Sequence, residues 1–128
     1  MKDRLEFYIN GQWVKSVSDE KIEVENPATE EVIGHVSAVT KGDIDLAVQA
    51  ASEAFKTFGN TSKEERIDLL KKIITEYENR TEDFIKTISE EMGSPIWLST
   101  AAQVTTGLRN FQETLEALES YKFEKLEG

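Results

Sequence analysis

The stretch 24-VENPATEEVIGHV-36 contains a chain reversal that sets the fold of the first part of the sequence. Apolar residues alternate with charged ones up to Val24, Asn26-Pro27 breaks the run, and apolar residues return at Val32. Proline fixes φ, donates no hydrogen bond and biases the preceding residue towards extended backbone. The side chains of Asn26 and Thr29 can bond to turn amides. We therefore predict two short strands joined by a tight polar turn with an architectural role.

A second β-unit precedes this turn. Asn10-Gly11 separates the short runs Phe7-Tyr8-Ile9 and Gln12-Trp13-Val14. Asn-Gly between aromatic and β-branched residues is typical of a two-residue hairpin, because both turn residues must accept positive φ. We therefore predict two β-hairpin-like units over residues 1–37.

From Thr40 the apolar period changes from two to about 3.6, which predicts about four amphipathic helices over residues 40–121. Thr40 with Asp43, and Ser62 with Glu65, have the spacing of helix-capping boxes. The first three helices are predicted to run from Thr40 to Gly59-Asn60, from Ser62 to about Tyr77, and from a Thr81 cap to Gly93. The first carries an apolar stripe made of Ile44, Ala47, Val48, Ala51, Phe55 and Phe58.

The last helix is predicted to run from about Ile96 to about Tyr121. Its apolar positions are spaced by four and three residues in turn: Trp97, Ala101, Val104, Leu108, Phe111, Leu115 and Leu118. Such a seam is compatible with a coiled coil, which would make the chain a self-associating interaction module. The same spacing also fits a helix packed along its own domain, and Gly107 and the threonines favour that interpretation over a coiled coil. The fold class predicted from the residues is thus α+β and mainly helical.

The composition limits the function classes. The chain has 128 residues and a formal net charge of −10, which argues against a nucleic-acid or anionic-membrane partner. No apolar run approaches the roughly 20 residues that cross a bilayer, and no signal peptide is visible, so a cytoplasmic location is expected. Cysteine is absent, which excludes disulfides, thiolate metal sites and a cysteine nucleophile from this chain.

No catalytic constellation is visible in the residues themselves. His35 is the single histidine, so zinc-protease spacing cannot be formed and a Ser-His-Asp triad would have to use a residue within a predicted strand. The acidic neighbours Glu64-Glu65 and Glu90-Glu91 point to different parts of a helix surface and make poor acid/base pairs. The scattered glycines form neither a dinucleotide fingerprint nor a phosphate loop.

The order of these motifs nevertheless resembles a known family. "FYINGQWV", "VENPATEEVIGHVSAVTKGDIDLAVQAASEAF", "TSKEERIDLLKKI" and "EEMGSP" are similar to the opening quarter of the NAD(P)+-dependent aldehyde dehydrogenases, from about Phe7 to about Tyr121. The resemblance implies that residues 1–128 are one N-terminal segment of such an enzyme. It also implies a partial piece of the α/β aldehyde dehydrogenase fold that lacks the dinucleotide-binding sheet.

In that family a cysteine thiolate attacks the aldehyde, hydride passes to the nicotinamide, and a glutamate activates the water that releases the acid. The resemblance implies that these groups lie outside this chain. We therefore expect a scaffold segment without catalytic residues, which binds no cofactor, whereas its parent uses NAD or NADP. Its partner would be the remainder of the parent or a second copy, because faces meant to cover a sheet would be left bare.

Two sites follow from the resemblance alone. Glu91, with the backbone carbonyls of Val24 and Glu25, matches a monovalent-cation site of some family members, and hard oxygen ligands suit such an ion. Ser99 and Gln103 match positions beside the aldehyde tunnel, where their polarity would favour a polar substrate. In both cases a plain surface role is the competing interpretation. A small free-standing enzyme that uses His35 is the remaining alternative.

Overall fold

A computed structural model describes residues 3–124 of the chain. Four short strands come first, and helices follow them as predicted. The strands are β1 (Glu6–Ile9), β2 (Gln12–Lys15), β3 (Lys21–Asn26) and β4 (Glu31–Ser37). The helices are α1 (Lys41–Phe58), α2 (Lys63–Asn79), α3 (Thr81–Met92), α4 (Ile96–Leu98), a π-helix (Ser99–Gln103) and α5 (Val104–Ser120).

The strands form two antiparallel ribbons, β1 with β2 and β3 with β4. The predicted Asn-Gly hairpin is confirmed, since Asn10 and Gly11 have φ of 51° and 77°. In the second ribbon Val24 pairs with Gly34, whereas Glu25 pairs with Val32. Ile33 is therefore the extra residue of a β-bulge. A bulge bends the strand and disrupts the ladder locally, and this one lies in β4, close to the Asn-Pro turn.

The chain folds as two compact units. Within the described residues, the first comprises 3–60 and Thr87–Ser94, and the second comprises Thr61–Lys86 and 95–124. The two ribbons and α1 thus belong to one unit, whereas the sequence pattern alone separates strands from helices at residues 37–40.

The carboxylate of Asp43 links two segments of the first unit, and the residue is only 3% exposed. Its carboxylate accepts hydrogen bonds from the Thr40 amide at 2.9 Å and the Thr40 hydroxyl at 2.8 Å, which confirms the predicted capping box. It also accepts from the Ser16 hydroxyl at 2.8 Å and the Val17 amide at 3.1 Å. Burial opposes ionisation, but these four donors outweigh it and lower the pKa of Asp43 to about 2. The segment after β2 is thereby tied to the start of α1.

In the second unit α2 packs against α5, and Tyr77 lies at the centre of the contact. Its ring stacks on Phe84 at a centroid distance of 4.4 Å and lies 6.0 Å from the ring of Phe111. Its hydroxyl donates to the Val104 carbonyl at 3.0 Å. Among residues 3–124, the buried apolar side chains are Ile74 and Val104, which are 9% and 3% exposed. The core is therefore small for the length of chain described.

The structure differs from the sequence predictions at two points. The last helix spans the predicted range, from Ile96 to Ser120, but the π-turn of Ser99–Gln103 interrupts its regular hydrogen bonding between α4 and α5. Thr81 does not act as an acceptor cap in the described contacts; its hydroxyl donates back to the Glu78 carbonyl at 2.9 Å. α1 ends at Gly59 as predicted, with φ of −59° at that residue, and the Asn60 side chain donates to the Lys56 carbonyl. Gly93, just past the end of α3, adopts a left-handed conformation with φ of 64°.

Candidate functional sites

The Asn-Pro turn is a compact loop closed by its own polar groups. The Asn26 side-chain oxygen accepts from the Ala28 amide at 2.9 Å, and the Asn26 carbonyl accepts from the amides of Thr29 and Glu30 at 3.2 and 2.8 Å. Glu30 has φ of 57°, a left-handed conformation that is uncommon for a residue with a side chain. The turn reverses β3 into β4, as the sequence predicts.

Gly93 brings the end of α3 against this turn. A Cβ on Gly93 would lie 2.7 Å from the Ala28 amide nitrogen and 3.0 Å from the Pro27 ring. Glu91, two residues earlier, is exposed near the end of α3, while Val24 and Glu25 flank the bulge at the end of β3. The two chain segments that carry the predicted cation ligands thus meet through Gly93. Across residues 3–124, no metal cluster of three or more His, Cys, Asp or Glu side chains is found.

Ser99 and Gln103 are the first and last residues of the π-helix. The Ser99 hydroxyl donates to the Gln103 side-chain oxygen at 2.9 Å, and Ser99 has no exposed surface. The wide turn is closed by the Val104 amide, which donates to the Ser99 carbonyl five residues back. π-turns occur frequently at functional positions, although this one also has a packing consequence. Of the two predicted tunnel residues, Gln103 keeps partial exposure and Ser99 does not.

The π-helix also divides the predicted seam. Before it, Trp97 is 69% exposed, whereas immediately after it Val104 is 3% exposed. An additional residue in one turn rotates everything that follows, so positions spaced by four and three no longer share one face. The seam from Trp97 to Leu118 is therefore not a continuous packing stripe, which removes the basis of the coiled-coil interpretation.

His35 of β4 makes hydrogen bonds to the chain segment that precedes β1. Its Nδ1 lies 3.0 Å from an Asp3 carboxylate oxygen, and its amide donates to the same oxygen at 3.0 Å. The hydrogen bond with the His35 side chain lowers the pKa of Asp3. The nearby Ser37 hydroxyl donates instead to the Leu5 carbonyl at 2.9 Å. The histidine thus holds the chain segment that precedes β1. The Ser37 hydroxyl donates its proton elsewhere, so His35 is not placed to activate it as a nucleophile.

The starts of α1, α2 and α3 are poorly suited to a nucleotide pyrophosphate. Binding of phosphate at a helix start needs free amides and a positive local field. At α1 and α2 the capping side chains of Thr40 and Ser62 already accept from the first-turn amides. The first turns of α1, α2 and α3 also carry acidic side chains, which would repel phosphate: Asp43, Glu64, Glu65, Glu82 and Asp83. In the same described range, no helix has both the length and the apolar character to cross a membrane.

Comparison with known proteins places this geometry in a family. The profile of the aldehyde dehydrogenase family matches residues 13–128. A Staphylococcus aureus protein described as an aldehyde dehydrogenase is 48% identical over the whole of this chain. The chain spans 27% of the length of that relative.

Two solved structures share the backbone fold. An aldehyde dehydrogenase from Bartonella henselae superposes with a TM-score of 0.94 at 37% identity, over 98% of this chain and 26% of that one. Aldehyde dehydrogenase C from Pseudomonas syringae, solved as a mutant with NAD+ and octanal, gives a TM-score of 0.92 at 37% identity. That match covers 96% of this chain and 25% of the Pseudomonas chain.

Proposed function

The chain belongs to the aldehyde dehydrogenase family, and we propose that it is the N-terminal supporting segment of an enzyme that oxidises an aldehyde to a carboxylic acid with NAD+ or NADP+. The observation that carries the proposal is the combination of a family match over residues 13–128 with the absence of cysteine from the sequence. A thiohemiacetal needs a sulfur nucleophile, and this chain has none to offer. The chain is therefore an inactive scaffold for chemistry located elsewhere in the parent, and lacks the dinucleotide-binding sheet.

A chimera tests this function. The matched segment of the Pseudomonas syringae enzyme is replaced by these 128 residues, and reduction of NAD+ is followed by absorbance with octanal as the probe substrate. We expect the chimera to reduce NAD+ and the isolated chain not to. Turnover by the isolated chain, or a folded chimera without turnover, would contradict the proposal.

The partner of the chain is then the remainder of the parent enzyme. Large apolar side chains remain exposed on both units, among them Trp13, Phe55 and Trp97 at 66%, 67% and 69%. Such surface tends to be hidden by association. We expect the isolated chain to self-associate or to repack, and sedimentation that finds a compact monomer at all concentrations would contradict this. An independent coiled-coil module is not favoured, because the π-helix divides its seam.

We also propose that Glu91, with the carbonyls of Val24 and Glu25, holds a monovalent cation. The bulge beside Glu25 disrupts the ladder and can turn carbonyls outward, and Gly93 holds the end of α3 against the adjoining turn. Glu91→Gln should abolish any increase in melting temperature that KCl gives over choline chloride. Glu82→Gln, an exposed acid at the other end of α3, is the matched control. Equal behaviour of the two variants would dismiss the site.

For the aldehyde tunnel we propose that Gln103 is the lining residue and that Ser99 positions it. The support is their 2.9 Å hydrogen bond and the complete burial of Ser99. In the chimera, Gln103→Leu should raise kcat/KM for octanal relative to a short polar aldehyde, because a polar group would no longer face an apolar substrate. Ser99→Ala should move the same ratio less. An unchanged ratio in Gln103→Leu would rule out a tunnel role.

A further inference from the structure

The tip of the first hairpin consists of two exposed residues, Asn10 and Gly11. Glycine has no side chain, so its backbone nitrogen is not shielded from the carboxamide of the residue before it. A Cβ built on Gly11 would meet no heavy atom within 4 Å, so the space beside this residue is also open. The tip thus places an electrophilic carbon, Cγ of Asn10, next to an unshielded backbone nitrogen.

We propose that Asn10 is a site of spontaneous deamidation, with the backbone nitrogen of Gly11 as the nucleophile. That nitrogen loses its proton to base, attacks Cγ of Asn10 and forms a new C–N bond. The bond from Cγ to the side-chain nitrogen breaks, and this nitrogen takes up a proton and leaves as ammonia, so that a cyclic succinimide remains. Water then opens the ring. Attack at Cγ gives aspartate, and attack at the backbone carbonyl carbon gives isoaspartate, in which the main chain runs through the former side chain.

The asparagines that lie in turns elsewhere in the chain lack this arrangement. Asn26 precedes Pro27, whose nitrogen carries no proton and cannot act as the nucleophile. Asn60 donates through its side-chain nitrogen to the Lys56 carbonyl at 2.9 Å. The residue after it is Thr61, whose branched Cβ crowds the approach to the backbone nitrogen. Both asparagines should therefore react more slowly than Asn10.

The asparagines that lie in helices are held by their backbones. Asn79 is the last residue of α2, and the amide of Arg80 donates to the Tyr77 carbonyl at 3.1 Å. Asn110 lies inside α5, where the amide of the next residue, Phe111, belongs to the helical hydrogen-bond ladder. Ring closure would break these hydrogen bonds and rotate the helical backbone. The chain thus contains its own slow references.

The hairpin controls how often the reaction can occur. Asn10 has the left-handed conformation that a two-residue turn requires, with φ of 51°. Ring closure requires a different rotation about the Cα–C bond of Asn10, so the turn must open first. The rings of Tyr8 and Trp13, whose centroids are 5.2 Å apart, flank the turn and stabilise its closed form. The rate of deamidation therefore reports the opening of the hairpin tip.

The product alters the contact that the tip makes with α1. Isoaspartate lengthens the main chain within the turn, and either product adds one negative charge to a chain whose net charge is already −10. The unmodified tip lies against a groove lined by alanines of α1, which are Ala47, Ala50, Ala51 and Ala54. A carboxylate and a longer turn do not fit a small apolar face, so we expect the modified tip to move away from α1.

Peptide mapping of the whole chain tests the proposal. The chain is incubated at mildly alkaline pH, and mass spectrometry follows the mass gain that replacement of –NH2 by –OH produces at each asparagine. Chromatography separates isoaspartate from aspartate. We expect Asn10 to react at least about tenfold faster than any other asparagine, with isoaspartate among the products. Equal rates at Asn10 and Asn60, or aspartate as the sole product, would overturn the proposal.

Two variants separate the nucleophile from the fold. Gly11→Ala strains the left-handed turn, so it is compared with the unsubstituted chain in guanidinium chloride, where both are unfolded. There it should slow deamidation of Asn10 by about tenfold, against less than about twofold for the control Gln12→Ala. In the folded chain, Trp13→Ala should raise the rate towards that of the unfolded chain. An unchanged rate in Gly11→Ala would exclude Gly11 as the nucleophile, and an unchanged rate in Trp13→Ala would contradict control by the hairpin.

Discussion

Gly107 of α5 lies directly against Tyr77 of α2. A Cβ on Gly107 would lie 2.4 Å from the Tyr77 hydroxyl oxygen and 3.2 Å from the ring carbon that carries it. The same hydroxyl donates to the Val104 carbonyl at 3.0 Å. The glycine therefore makes room for a tyrosine that links the two helices. Replacing Gly107 by alanine has two opposing effects on the free energy of unfolding.

The first effect is favourable, because alanine in a helix interior is better than glycine by about 1 kcal/mol. The second is unfavourable. Overpacking costs about 1–3 kcal/mol, and loss of the hydroxyl bond costs about 0.5–1.5 kcal/mol. A separation of 2.4 Å cannot persist, so the tyrosine must move and its bond to Val104 is lost. We expect Gly107→Ala to lower the free energy of unfolding by about 1–2 kcal/mol.

Removing the Tyr77 hydroxyl should reverse the sign of the effect that Gly107→Ala has on the free energy of unfolding. In a Tyr77→Phe background the nearest atom to the new methyl group is the ring carbon at 3.2 Å, which needs only a small adjustment. Gly107→Ala should then stabilise the chain by roughly 0.5 kcal/mol, because the helix propensity gain is no longer offset. The coupling energy between the two positions is therefore about 2 kcal/mol.

Urea unfolding followed by far-ultraviolet circular dichroism measures all four members of the cycle. One protein concentration is used throughout, because self-association would add to the apparent stability. Thr106→Ala, an exposed neighbour on α5, is the control and should show no coupling to Tyr77→Phe. If Gly107→Ala stabilises the chain equally with and without the tyrosine hydroxyl, the contact between α2 and α5 at this point is not formed.

Three further changes test the first unit. Gly93→Ala should destabilise more than Gly11→Ala: both have positive φ, which costs about 1–2 kcal/mol, but only Gly93 would also place a methyl group 2.7 Å from the Ala28 amide nitrogen. Equal costs in urea unfolding would show that the turn does not contact the end of α3. Because the folded pKa of Asp43 is about 2 against an ordinary 3.8, its contribution is complete above pH 3.8 and is lost as pH falls towards 2. Asp43→Asn should reduce the loss of unfolding free energy that the chain shows as pH falls below 3.8. An unchanged loss would contradict the stabilising role of the hydrogen bonds to the Asp43 carboxylate. Glu30→Gly should raise stability by roughly 0.5–1 kcal/mol by relieving its left-handed backbone, and a loss on thermal melting would contradict that strain.

Features whose cause lies within a few residues can be predicted from the sequence. The Asn10-Gly11 hairpin, the Thr40 and Ser62 caps and the left-handed Gly93 each depend on local backbone geometry. The four-helix pattern also follows from local periodicity, and the predicted ends of α1 and α2 agree with the structure within about two residues. Local preference and the observed structure agree at all of these positions.

Features that depend on contacts distant in sequence cannot be predicted in this way. The pairing of Thr40 with Asp43 is visible as a capping box, but nothing local indicates that Ser16 and Val17 share the same carboxylate across 26 or more residues. The π-helix cannot be predicted, because the apolar residues keep a regular spacing through it. Only their different burial in the structure shows that Trp97 and Val104 do not share a face. The proposed positions beside a cation or an aldehyde come only from the family resemblance.

The buried polar groups of the described residues have hydrogen-bond partners, whereas many of the large apolar side chains remain exposed. Every buried side-chain nitrogen or oxygen among residues 3–124 has a hydrogen-bond partner within the chain. In the same range Ile74 and Val104 are the apolar side chains that are buried, while α1 exposes a whole stripe. Hydrogen bonds fix geometry but add little net stability, whereas apolar burial supplies most of it. Substitutions at caps and turns should therefore alter the shape of this segment, whereas substitutions in its few buried apolar side chains should alter its stability.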